Sequence, residues 1–311
     1  MLKKSIRQEL LYSFHSKQIT VMILFLALLF CGVLYLNYFS ATDDYDNFQK
    51  DMAFQVSSGQ DIQALLNGNY SIQTDGNSVT VNNPLKYDKV TLEQALYAAS
   101  PSYALNMLFE SALITFPFIF TILGQLIATS DIKNKTIKIK TVRQSRFQFG
   151  VCKQFSVIII TIIVLFIALA IAFLFGLILY QMLQSQIPFN EFDIFRFVAH
   201  SSILLKILYG VGLSIFFSEI GYSLGFLFKN AYVGIIVIGV YTYIIPDLGK
   251  YDVKNSMNYL SSRIYEFYGT VSLTQLKPGT TAAISACMLV GVFAIFLCLH
   301  FLLTVKRSSF L

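Results

Sequence analysis

Six stretches of this chain, at about 19–39, 104–129, 154–183, 198–228, 231–247 and 281–305, are almost free of charge and long enough to matter in a bilayer. A helix rises ~1.5 Å per residue, so ~20 apolar residues cover the ~30 Å of hydrocarbon. Inside lipid the backbone must satisfy its own hydrogen bonds, which leaves helices and closed β-barrels. The stretches are continuously apolar and do not alternate as barrel strands do. The expected fold class is therefore an all-α polytopic membrane protein with six transmembrane helices, one transmembrane domain over 1–311. Composition agrees: 55% of residues are hydrophobic and 13% charged, against ~25% charged in soluble domains. The first stretch, "ITVMILFLALLFCGVLYLNYF", outruns a signal-peptide core of ~7–15 residues and ends without a small-x-small site, so a retained helix is expected.

Lys and Arg beside the spans predict the orientation. Lys3, Lys4, Arg7 and Lys17 precede the first span, and Lys306 and Arg307 follow the last. Between the second and third spans, 130–153 holds Lys133, Lys135, Lys138, Lys140, Arg143, Arg146 and Lys153 against Asp131 alone. Alternating loops put all of these on one side, whereas the 40–103 loop carries eight acids and three lysines. A multi-pass protein of the cell membrane with both termini in the cytoplasm is expected.

The linking segments have character of their own. In 1–17, Leu2, Ile6, Leu10 and Phe14 recur at helical spacing with Lys3, Lys4 and Arg7 on the other side. This predicts an amphipathic helix in the interface plane, its cations toward anionic lipid; docking on a partner is the alternative. The 40–103 loop predicts a small extracellular subdomain, with "YSIQ" and "SVTVN" as a hairpin around "TDGN". A helix on "TLEQALYAA" is capped by Thr91 with Gln94 at the third position. Residues 248–280 are too polar to span and predict an extracellular interfacial or re-entrant segment. Tyr35, Tyr38, Tyr103, Tyr180, Tyr241 and Tyr243 sit near the outer span ends, as an aromatic belt would.

Motifs of catalysis find no fitting context. There is no GxxxxGK[ST], HExxH or GxGxxG, and the one GxSxG, GYSLG at 221–225, lies inside a continuously apolar span and not on the strand-to-helix turn that motif needs. Four cysteines and three histidines show no ligand spacing, so no metal site is expected. The basic strip belongs to no nucleic-acid-binding motif, and no nucleic-acid partner is expected. An enzyme acting alone is not indicated. Three ionisable residues fall within the spans: Glu110, Lys206 and Glu219. Charge there is costly and by default faces protein or a water-filled cavity. Glu110 and Lys206 lie at similar depth and are expected to pair; Glu219 lies deeper with no evident partner.

The segment after span two resembles one in the permease subunits of the type-2 ABC transporter family. That family tends to show an acid, Gly-Thr, a Ser/Pro-Arg pair, then Gly-x-x-Lys entering span three. Here these are Asp131, Lys135-Thr136 (with Lys in place of Gly), Ser145-Arg146 and Gly150-Val-Cys-Lys153. The resemblance implies a permease whose 130–153 segment, Arg143 included, docks on and couples to a separate ATP-hydrolysing subunit. ATP and Mg would then sit on that partner and no cofactor on this chain. It also implies pairing with a second copy or a related permease, and export of a hydrophobic or amphipathic peptide, lipid or drug. Two other readings stay open: a membrane immunity protein that captures a toxic peptide, and a lipid-modifying membrane enzyme. The second would need a His, Asp or Asn cluster at one interface, which the sequence lacks.

Overall fold

The computed structural model describes residues 2–75, 78–134, 136–143, 145–194, 197, 201–269 and 276–306. The described chain is overwhelmingly helical. Five helices are long and apolar enough to cross a membrane: α2 (Lys17–Ser57), α6 (Ala112–Lys133), α8 (Arg146–Gln186), α9 (Ile203–Phe228) and α12 (Ala282–Lys306). Shorter helices are α1 (Leu2–His15), α3 (Ile62–Asn67), α4 (Pro84–Ala98), α5 (Pro101–Glu110), α7 (Thr136–Arg143), α10 (Val233–Gly239) and α11 (Val253–Ile264). Strands β1 (Ile72–Asp75) and β2 (Ser78–Val81) form an antiparallel hairpin, Ile72 opposite Val81. It lies where the hairpin was expected, with strand β1 displaced toward the turn.

Several boundaries differ from the sequence reading, each for a physical reason. The first long helix does not end with the expected span near residue 39. Ala41 and Phe48 are buried and Tyr45 and Met52 half-buried, an apolar stripe at helical spacing that carries α2 on to Ser57. That stripe packs with Leu85, Leu92 and Leu96 of α4 and Leu183 of α8 into a second apolar cluster, apart from the main core. Burial, together with Asp51 and Asp44 nearby, raises the Asp88 carboxyl of α4 to about 7. Helix α4 starts at Pro84 and not at Thr91. The Asn83 side chain accepts from the Lys86 N–H at 3.3 Å and Pro84 takes the first helical position, a start signal in "NNPLK" that outranks Thr91.

The second expected span is two helices, α5 and α6, that meet at Ser111. Side chains add bonds at the joint: Ser111 Oγ donates to Leu108 O at 2.7 Å, and Thr115 Oγ1 to Ser111 O at 3.0 Å, beside the Ile114 and Thr115 N–H groups that the same carbonyl accepts. The fifth span is shorter still. Helix α10 passes into a wider, π-type turn at Val240–Ile244 and becomes extended before Pro246, as expected for a residue preceding proline. The strip at 130–153 is not a loop, since α6 runs to Lys133, α7 occupies its middle and α8 begins at Arg146. Tyr103, assigned to the aromatic belt, is 1% exposed and belongs to the core.

Contacts fix how the ends are arranged. Arg146 at the start of α8 donates to Val305 O near the end of α12 (3.4 Å), and His300 Nε2 lies 3.2 Å from Gly150 O. Tyr222 near the end of α9 packs on His300. The start of α8 and the ends of α9 and α12 therefore share one end of the bundle. Helix α10 begins beside Gln125 of α6 and, through Tyr243 on the Ile114 carbonyl, finishes at the opposite end of α6.

Helices α6 and α9 form the tightest contact, because small residues let their backbones approach. A Cβ on Gly124 would overlap the Ser218 carbonyl oxygen, and one on Gly221 the Thr121 carbonyl oxygen. Backbone cannot yield as a flexible side chain can, so overpacking should cost ~1–3 kcal/mol. Gly124→Ala and Gly221→Ala are expected to lower the thermal midpoint of the purified protein in detergent. Gly212→Ala, on the same helix as Gly221 but with nothing within 4 Å of the new Cβ, should leave it unchanged or slightly raised.

Candidate functional site

Four charged side chains from four helices meet where α1, α6, α7 and α8 converge. Lys153 of α8 donates to Glu9 Oε2 of α1 at 2.5 Å and pairs with Asp131 Oδ2 of α6. Lys140 of α7 reaches Glu9 Oε1 at 2.5 Å and Asp131 Oδ1 at 2.7 Å. Thr136, first residue of α7, donates to Asp131 Oδ1 at 2.7 Å. Glu9, Asp131 and Lys153 are 5%, 2% and 2% exposed. Two carboxylates and two ammonium groups alternate, so the cluster is neutral. Each carboxylate oxygen has a cation, which is the condition under which buried charge is tolerated. Tyr12 of α1 closes one side: its ring lies under Lys140 (5.2 Å) and its hydroxyl accepts from Asn134 Nδ2 (2.7 Å).

This arrangement joins α1 to the segment after α6. On α1, Lys4 and Arg7 are exposed, as an interface helix requires, while the Lys3 side chain lies outside the described ones. Glu9, the one acid of residues 1–17, has no role in the sequence reading. It proves to be the residue that anchors α1. A lone acid on an otherwise basic amphipathic helix was the available signal.

The residues matched to the coupling segment divide into three groups. Asp131, Thr136 and Lys153 point into the cluster and hold α7 from beneath. Ser145 caps α8, its Oγ accepting from the Gln148 N–H at 3.2 Å, and Arg146 binds the end of α12. Lys135 and the Arg143 side chain lie outside the described residues. Lys133, Asn134, Ser145 and Gln148 are exposed at this end, and so are two large apolar residues: Val142 is 86% exposed and Phe147 61%, the latter stacked on Phe301. Neither was singled out from the sequence.

The charges within the spans do not pair as expected. Lys206 binds Glu266 at 2.5 Å, not Glu110. Glu110 accepts from the Tyr103 hydroxyl, the Asn106 amide and, at 3.0 Å, the Phe267 N–H. Tyr268 N–H in turn donates to the Tyr103 hydroxyl at 2.8 Å. The short run Tyr265–Tyr268 thus threads between α5 and α9 and supplies a partner to each charge. Phe267 takes a left-handed backbone (φ 58°), uncommon for a bulky residue, and from it the amide reaches Glu110. Equal depth along two helices did not reveal that a third segment lies between them. Glu219 is fully buried on α9, and neither of its oxygens has a hydrogen-bond partner. Among the described residues no group of three or more His, Cys, Asp or Glu is arranged to hold a metal ion.

Set against known protein families, curated proteins and solved structures, the chain matches none of them.

The pairing can be tested by a double-mutant cycle. Removing one partner of a buried ion pair costs ~3–5 kcal/mol, because it strands the other charge. Lys206→Met and Glu266→Gln should each destabilise the protein, and the double variant should recover much of the loss. Glu110→Gln should couple to Lys206→Met more weakly than Glu266→Gln does, because it meets Lys206 only through the shared Tyr265–Tyr268 run. Thermal unfolding in nanodiscs gives all the midpoints required.

Proposed function

We propose that this chain is the membrane permease of an ATP-driven exporter, resembling the type-2 ABC family, and that α7 is its coupling helix. The observation that carries the reading is the mounting of α7. It is an eight-residue helix between two long apolar ones, at an end of the bundle. Thr136 and Lys140 fasten it through the buried cluster to α1, α6 and α8, while Val142 and Phe147 face outward. A push on the exposed apolar face would reach α6 and α8 through buried ion pairs, with no flexible joint at the cluster. That is what an element taking force from another subunit requires. The bilayer reading gives six crossings, the sixth made by α10 with its wide turn and the residues up to Asp247. It is supported by the contacts that bring the start of α8 and the ends of α9 and α12 to one end, and by the path of α10 back along α6. The cations of 1–17 and 130–153 put that end in the cytoplasm of a cell-membrane protein.

In this reading the chain binds no nucleotide, and ATP with Mg belongs to the partner subunit. A second permease, identical or related, completes the pathway, and membrane lipid meets Lys4 and Arg7 of α1. Alternating access moves a hydrophobic or amphipathic substrate outward. The long arm of α2 with α3, the hairpin and α4 forms an extracellular cap beside the exit.

The experiment is purification from the native host through a tag on this chain, in mild detergent, with ATP turnover measured before and after the partner is stripped. Vanadate-sensitive hydrolysis should co-purify, vanish with the stripped subunit and return when that subunit is added back. Val142→Asp/Phe147→Asp should abolish the restored association while the protein still inserts. Appreciable turnover by the chain alone, or association indifferent to that double variant, contradicts the proposal.

A further inference from the structure

One turn into the bundle from the charge cluster, buried polar atoms accumulate without partners. Glu219 is 0% exposed, and both carboxylate oxygens lack a hydrogen bond. Gln154 of α8 lies beside it within electrostatic reach of the carboxylate, though neither amide atom meets hydrogen-bond geometry. His300 of α12, also fully buried, uses Nε2 on the Gly150 carbonyl and leaves Nδ1 unpartnered. Native structures keep only a few such atoms. Here five belong to three residues along one line, since Gly150 and Gln154 lie one turn apart on α8 and Glu219 and Tyr222 nearly one turn apart on α9. Tyr222 connects the ends of that line. Its ring packs on His300 at 4.9 Å, and it follows Glu219 by nearly one turn of α9.

An acid in this position has no structural return: a glutamine would fill the same space at less cost in lipid. A small positively charged ligand changes that balance. A metal ion is disfavoured by the donor count. Hard cations take about six or more oxygens, whereas this site offers the Glu219 carboxylate and one amide oxygen. The neighbouring Ser218 hydroxyl already accepts from Thr161 at 2.8 Å. A proton needs a single oxygen. Gln154 suits both resulting states, because its amide can accept from a protonated carboxyl and, turned over, donate to an ionised one.

We propose that Glu219, with Gln154 beside it, is a proton-binding site inside the membrane domain, filled and emptied past Tyr222 and His300 from the end that carries the charge cluster. The proton adds to one carboxylate oxygen and leaves by the same route, with no other bond changed. Occupancy would switch the α8–α9 contact between two hydrogen-bonding states. The proposal does not depend on which partner drives the protein.

Infrared spectroscopy of the full chain in nanodiscs tests it. Asp88→Asn is the background throughout, because it removes another carboxyl raised to about 7. Near neutral pH the otherwise unmodified protein should show the carbonyl stretch of a protonated carboxyl group, and Glu219→Gln should lose that band. Transfer of the folded, otherwise unmodified protein to D2O should shift the band, and Tyr222→Phe should slow the shift several-fold. That slowing ties the band to Glu219 even where Glu219→Gln misfolds. Absence of any band attributable to Glu219 would overturn the inference. So would a band immune to D2O, or one abolished by sodium at constant pH. An exchange rate unchanged in Tyr222→Phe would overturn the assigned route.

Discussion

The pairing of Lys153 with both Glu9 and Asp131 is the interaction on which the rest of this molecule depends. An ammonium group 2% exposed at the head of a 41-residue apolar helix cannot stay there without counter-charge. Its two carboxylates come from a helix that precedes the first long span and from the end of α6. A second lysine, Lys140, then becomes necessary, because two carboxylates around one cation leave a net negative charge buried. That requirement draws α7 inward, with Ile137 buried as well and Val142 left exposed. One electrostatic constraint thereby sets the position of three segments.

From the cluster, order passes into the bundle through close packing. Gly150, four residues before Gln154, sits against His300 and Thr304 of α12, and Gly124 and Gly221 bring α6 and α9 into backbone contact. Because these contacts are rigid, a displacement of α7 is carried by α6 and α8 as whole helices. At the opposite end, Tyr265–Tyr268 plays the corresponding part, holding Glu110 of α5 and Lys206 of α9 from a segment with no regular structure. The two ends are built differently. One is a charge cluster that fastens helices to each other, and the other is a strap that passes between them.

Much of the architecture was legible because apolar length is a strong signal in lipid. Helices α8, α9 and α12 lie where uninterrupted apolar runs put them. The failures occurred where periodicity competed with polarity. The acids at 43–51 read as loop, although Ala41, Tyr45, Phe48 and Met52 kept helical spacing beneath them. Asn83-Pro84 was a stronger start than Thr91 because proline fixes the first helical dihedral and asparagine caps it. At the site, Asp131, Thr136 and Lys153 were found through a family-like pattern, but as surface residues. Their burial depends on Glu9, more than a hundred positions away in sequence, and spacing along one segment carries no information about that contact. The Lys206–Glu266 pair was missed for the same reason.

The central claim is that Glu9, Asp131, Lys140 and Lys153 bind α1, α7 and α8 into one mechanical unit. Hydrogen exchange measured by mass spectrometry on the protein in nanodiscs tests it most directly, comparing the unmodified chain with Glu9→Gln and Lys153→Met. The account predicts that either substitution accelerates exchange in both α1 and α7, by at least the ~10-fold that corresponds to ~1.4 kcal/mol of lost protection. Acceleration confined to the substituted helix, or none, would contradict it.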